Sequence, residues 1–138
     1  MPGDPIAEDV WRAMSALVLE NKDNWRRSVV ELTGLPFSRI RILKRLERRS
    51  LTVKQVAEAA TIDAPAATVA VNDLEARGLV VREIDPENRR RKLVSLTAAG
   101  RAMLRAVDEV ADPPPPSLAG LDGGDLRMLH TILSRLPS

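Results

Sequence analysis

At 138 residues, 44% hydrophobic and 29% charged, the chain has the balance of one folded domain, which excludes wholesale disorder. It has no cysteine and one histidine, His130, so disulfide frameworks, zinc–thiolate and iron–sulfur sites, thiol redox sensing and multi-histidine metal sites are excluded. The net charge is only +2, and Trp11, Trp25 and Phe37 are too few aromatics for a base-stacking platform.

No apolar run approaches the roughly 20 residues of a membrane span. The start, Met1-Pro2-Gly3-Asp4-Pro5, lacks the basic-then-apolar order of a signal peptide, so a cytoplasmic location is expected. Ile6, Val10, Trp11, Met14, Leu17 and Val18 recur at three- and four-residue steps, one face of a helix. Asp4 is its expected cap and Pro5 fits its first turn. Asn21-Lys22-Asp23-Asn24 interrupts the pattern, which resumes at Trp25, Val29, Val30 and Leu32 and stops at Gly34. One long helix or two are both compatible with this, and the broad apolar face marks a dimerisation candidate.

Pro36 to Arg48 reads as the next helix, with Ile40, Leu43 and Leu46 inward. Arg39 to Lys54 carries seven positive residues against Glu47. Their rotation toward a polyanion cannot be read from spacing, so phosphate contact and plain solvation stand equal. Thr52-Val53-Lys54-Gln55 is a capping box opening a short helix, 53–60. Thr61-Ile62-Asp63 is a turn, Asp63 an N-cap, and Pro65 is tolerated in the first turn of a helix over 64–77 that Gly78 ends. Two short helices joined by three residues make a helix-turn-helix candidate.

Leu79 to Ile84 and Lys92 to Leu96 are valine-rich strands around a turn-forming Asp85-Pro86-Glu87-Asn88-Arg89-Arg90-Arg91. Residues 77–105 hold eight Lys or Arg against three acidic residues, a localised polyanion-binding signal. Thr97 caps a helix running to about Ala111, which Pro113 to Pro116 stop. Ser117 to Gly124 is loop. Asp125 to Leu136 is a last helix with Leu126, Leu129, Ile132, Leu133 and Leu136 on one side. His130, between Leu129 and Ile132, is an interface or surface residue on this pattern. The fold class expected is mainly α with a small β-hairpin (α+β).

Leu74-Glu75-Ala76-Arg77-Gly78-Leu79-Val80, then Asp85-Pro86-Glu87-Asn88-Arg89-Arg90, then Leu96-Thr97-Ala98-Ala99-Gly100 stand in this order and spacing. In these the chain resembles the MarR family of bacterial transcription regulators, which are winged helix-turn-helix homodimers. The resemblance implies a DNA-binding lobe over 35–97, with the helix-turn-helix at 53–60 and 64–77 and the wing at 79–96. It implies dimerisation helices in 1–34 and 98–138, the whole forming one intertwined domain. Three departures stand out. Asn88 replaces an aspartate of the wing, removing an ion pair expected to support the wing arginine. The recognition helix is nearly bare of cations. Four prolines cut short the helix that feeds the family's dimer interface.

On this reading the chain is a repressor binding a pseudo-palindromic duplex as a homodimer. Arg89, Arg90, Arg91 and Lys92 serve the wing, Arg90 aligning with the family's minor-groove arginine. One of the three arginines pairing with Asp85 or Glu87 is the bland alternative. Pro65, Ala66, Thr68, Val69 and Asn72 face outward from the recognition helix. Asn72 suits adenine, and Ala66 and Val69 suit thymine methyls. The resemblance also implies a small aromatic effector, with Trp11, Met14, Trp25 and Phe37 as candidate lining, although core packing is the commoner role at helical spacing. A protein-interaction module and a nonspecific DNA binder are the competing readings. Nothing supports an enzyme, a cofactor or a metal: there is no nucleophile–base pair, metal cluster or phosphate loop.

Overall fold

The apolar spacing around Lys22 resolves into two helices, α1 (Pro5–Asn21) and α2 (Asp23–Thr33). The computed structural model describes residues 4–137; residues 1–3 and 138, expected to belong to the flanking region, lie outside the described residues. Asp4 caps α1 as expected, its Oδ1 accepting the Ile6 N–H at 2.8 Å. Then follow α3 (Phe37–Arg48), α4 (Val53–Ala60), α5 (Ala64–Ala76), β1 (Val80–Asp85), β2 (Asn88–Leu96), α6 (Ala98–Asp108), α7 (Pro116–Ala119) and α8 (Gly123–Ser134). The mainly helical fold with one antiparallel hairpin is the expected class.

The chain forms two compact units. One spans Lys22 to Val110 and holds the core. Ile40, Leu43 and Leu46 of α3, Val56 of α4, Ala67, Val71 and Leu74 of α5, Val80 and Val94 of the hairpin, and Leu104 and Val107 of α6 are all buried together. This unit includes α2 and α6, through Val29, Leu104 and Val107. The other unit unites the chain up to Asn21 with Ala111 onward, hence α1, α7 and α8. No residue of α1 or α8 is buried. Ile6, Val10, Trp11, Val18, Met128, Ile132 and Leu136 are instead exposed, with Trp11 70% exposed.

Local chemistry explains the element ends. Thr52 Oγ1 accepts the Gln55 N–H at 3.1 Å, and Gln55 Oε1 accepts the Thr52 N–H at 2.9 Å, the reciprocal box that opens α4. Asp63 Oδ1 accepts the Ala66 N–H at 2.7 Å and opens α5. Thr61 takes the left-handed conformation between them. Past α5, Gly78 has φ 76°, where a side chain would be strained. Thr97 joins the two ends of the hairpin: its hydroxyl donates to the Gly78 carbonyl at 2.6 Å and accepts the Gly100 N–H at 3.1 Å. A Cβ at Gly100 would overlap the Leu79 carbonyl oxygen. The Gly-Leu and Leu-Thr-x-x-Gly motifs are therefore two halves of one packing contact.

Several boundaries differ from expectation. The second strand begins at Asn88 and not Lys92, because pairing resumes directly after a two-residue turn, Pro86-Glu87. The helix after Thr97 ends at Asp108, before the prolines themselves. Pro115 and Pro116 start a one-turn helix, since a proline is tolerated where no helical N–H is needed, in a stretch expected to be loop. The last helix starts at Gly123 because Asp122 caps it, Oδ1 accepting the Asp125 N–H at 2.8 Å.

Candidate nucleic-acid interface

The three wing arginines occupy an irregular stretch of β2. Ile84 lies opposite Lys92, and Asp85 lies opposite Asn88, so residues 89–91 have no partner across the hairpin. A bulge leaves residues unpaired and re-aims their side chains. Asp85 holds this stretch in place. It is the buried carboxylate of the lobe, 3% exposed. Its Oδ1 accepts the Glu87 N–H at 2.9 Å and its Oδ2 accepts Arg91 Nε at 2.7 Å. The Glu87 N–H first, then the Arg91 guanidinium, holds its carboxyl below the ordinary carboxylate value.

Asn88, in the place of the family aspartate, accepts the Arg90 N–H at 3.1 Å and so shapes the backbone before the arginines. Arg91 is thus the arginine that pairs within the hairpin, with Asp85. The guanidinium groups of Arg89 and Arg90 have no partner among the described residues, and both are exposed. Lys92 is exposed as well.

On α5 the buried row is Ala67, Ala70, Val71 and Leu74. Pro65, Ala66, Thr68, Val69 and Asn72 are all exposed, Val69 at 60%. The Thr68 hydroxyl donates back to the Ala64 carbonyl at 3.1 Å, which leaves its oxygen lone pairs outward. Asn72 Oδ1 accepts Nη2 of Arg82, a β1 residue that in sequence stands only as one of the eight cations of the 77–105 basic stretch. The signal was available, because Arg82 falls two residues after buried Val80 and so on the same strand face.

At the far end of α5, Asp73 accepts Arg77 Nε at 3.1 Å and Arg39 Nε at 3.2 Å, tying α3 to α5. Arg77 first, then Arg39, holds the Asp73 carboxyl below its ordinary value. Arg39 is therefore a joint of the scaffold. Arg41, Lys44, Arg45 and Arg48 form an outward basic face on α3, around a shallow cavity of about 320 Å³.

The four candidates for effector lining divide. Trp25 and Phe37 pack edge to face with centroids 5.7 Å apart, against the lobe core. Lys22 and Lys44 lie over the Trp25 ring and Arg26 over Phe37. Trp11 and Met14 belong to the other unit, Met14 half-buried. Among the described residues no helix is long and apolar enough to cross a membrane.

Residues 33–91, from the end of α2 into β2, match the model of the MarR family. None of the curated proteins matches the chain. Among solved structures, the transcriptional regulator BldR from Sulfolobus solfataricus is 26% identical over 97% of this chain and 100% of its own, with a TM-score of 0.63. NadR in complex with 4-hydroxyphenylacetate is 25% identical over 97% of this chain and 96% of its own, at 0.62. A mutant of MepR from S. aureus, bound to an oligodeoxyribonucleotide, is 21% identical over 94% of each chain, at 0.63, a likeness of fold. The motifs that link α5, the hairpin and α6, the family match over the lobe and the shared architecture agree: the chain has a winged helix-turn-helix fold, and its residues 33–91 are similar to the MarR family.

Proposed function

We propose that the chain is a cytoplasmic DNA-binding transcription regulator, a homodimeric repressor that grips a pseudo-palindromic duplex. The observation that carries this reading is the pair of exposed, unpaired guanidinium groups, Arg89 and Arg90, bulged out of a wing that packs alongside α5. Positive charge held free of internal partners is what phosphate oxygens and a narrow minor groove attract. Asp85 and Asn88 stiffen the bulge, so little ordering remains to be done on binding. The exposed face of α5 supplies the groove-facing element, from Pro65, Ala66, Thr68, Val69 and Asn72. The MepR mutant has been solved on an oligodeoxyribonucleotide, which favours the same partner here.

The exposed apolar rows of α1 and α8 support a homodimer, since a face with Trp11 and Ile6 open to water needs a cover. Two-fold symmetry then sets the recognition helices about 34–36 Å apart, in successive major grooves. NadR has been solved in complex with 4-hydroxyphenylacetate, which favours a small aromatic effector here, one that would relieve the repression. Trp25 and Phe37 are engaged with each other, so Trp11 and Met14 are the better candidates to meet it.

The test is selection of bound fragments from sheared genomic DNA, followed by light scattering of the complex. Recovery of a pseudo-palindrome bound by a dimer supports the reading. Salt-sensitive retention without any preferred sequence makes the protein a nonspecific binder. No retention at low salt makes the winged helix a protein-interaction module.

A further inference from the structure

We infer that Arg82 fixes Asn72 as a hydrogen-bond donor toward the duplex, so that the recognition helix reads guanine and not adenine. This rests on the DNA-binding reading above and names its base preference. An asparagine that reads adenine uses both ends of its amide: Oδ1 accepts from N6 while Nδ2 donates to N7. Here one of the two lone pairs of Oδ1 accepts Nη2 of Arg82, so the oxygen is turned to the strand and is a poorer acceptor for a base than a free amide. A guanidinium has donors only, so the oxygen must be the amide atom that faces it. The orientation of the amide is therefore set by chemistry.

Arg82 has little freedom to release that oxygen. Its side chain is 23% exposed, and its Nε is buried without a hydrogen bond, 3.5 Å from Glu75 Oε1. Glu75 and Asn72 lie one turn apart on α5, so one helix holds the guanidinium from two sides. Turning the Asn72 oxygen to a base would strip a half-buried cation of an acceptor. What Asn72 offers outward is its Nδ2 with two N–H donors, on an exposed residue. Guanine places two acceptors, N7 and O6, side by side in the major groove. Adenine flanks its N7 with the N6 amino group, a donor that opposes a second N–H. Beside the Thr68 hydroxyl, the outward row of α5 holds no other side-chain amide and no cation before Arg77, so this amide is the outward side-chain N–H donor of the helix face.

The experiment uses the full chain on its selected duplex, with each base pair of a half-site varied in turn for wild type, Asn72→Ala and Arg82→Met. Wild type is expected to prefer guanine over adenine about tenfold at one position, and to lose that preference with 7-deazaguanine or with Asn72→Ala. Arg82→Met is expected to shift that position toward adenine, whereas a purely structural role would weaken all duplexes alike. The Asn72 side-chain amide, assigned by its absence from the spectrum of Asn72→Ala, should shift in Arg82→Met without DNA. An unmoved amide signal overturns the contact. An Asn72-dependent preference for adenine in wild type, or no Asn72-dependent position at all, overturns the inference and leaves the regulator reading standing. Failure to select any sequence overturns both.

Discussion

Along α5 the exposed row runs Pro65, Ala66, Thr68, Val69 and Asn72, with no cation and with its one amide engaged by Arg82. Along the start of β2, Arg89, Arg90 and Arg91 follow one another in a bulge, and Arg91 alone is paired. The two regions belong to one lobe, in which α5 packs on β1, and on the proposed function they divide the labour of binding in opposite ways. On this reading, the wing serves phosphate and groove potential, which supply affinity without sequence, and the helix serves shape, methyl contact and one oriented amide, which supply discrimination with little affinity.

The sharpest way to break the helix side is from beneath. Leu74 is fully buried in the core, so Leu74→Ala should cost about 2–5 kcal/mol of stability and lower the melting temperature in calorimetry. Val69→Ala, on the exposed row of the same helix, should stay within about 0.5 kcal/mol. Next, Val69→Arg erases the difference in charge between the regions. It should tighten binding to random duplex several-fold and steepen the salt slope by about 0.9, read by fluorescence anisotropy. Smaller still, Thr52→Ala removes the cap of α4, behind the recognition helix. It should cost about 1 kcal/mol in denaturant melts and leave the salt slope of binding unchanged.

The mildest perturbation is acid. The carboxyls of Asp73 and Asp85 are both held below their ordinary value of 3.8. Their support for the fold is complete above that value and is lost as pH falls through the lower folded values. Through these two groups, stability followed by circular dichroism should not vary with pH between 5 and 8, where their contribution is full, and should fall below about pH 4. Asp85→Asn should reduce the acid-sensitive component without removing the turn.

Much of this was legible in the sequence, for identifiable reasons. Caps and breakers act over three or four residues, so Thr52-Gln55, Asp63, Gly78 and Thr97 announce their roles locally. The core rows of α3 and α5 follow from helical spacing. The wing arginines were visible as a charge run, but their bulge was not. A shift of register depends on what lies across the hairpin, and the expected strand from Lys92 missed the pairing that begins at Asn88. The pairings Arg39–Asp73 and Arg82–Asn72 join residues far apart in sequence, so charge counting treated Arg39 as free and Asn72 as unencumbered. Trp25 and Phe37 showed as aromatics at helical spacing, but their edge-to-face pairing beside the lobe core depends on how α2 and α3 pack, which spacing does not show.

The division of labour is tested most directly by titrating wild type and the Arg89→Ala/Arg90→Ala double variant with the selected duplex and with random duplex across a salt series. The account predicts that the double variant binds both duplexes more weakly, by a similar factor, and that its salt slope falls by about two units. The ratio between selected and random duplex should survive. An unchanged slope, or a ratio that collapses while random-duplex binding stays intact, would contradict it.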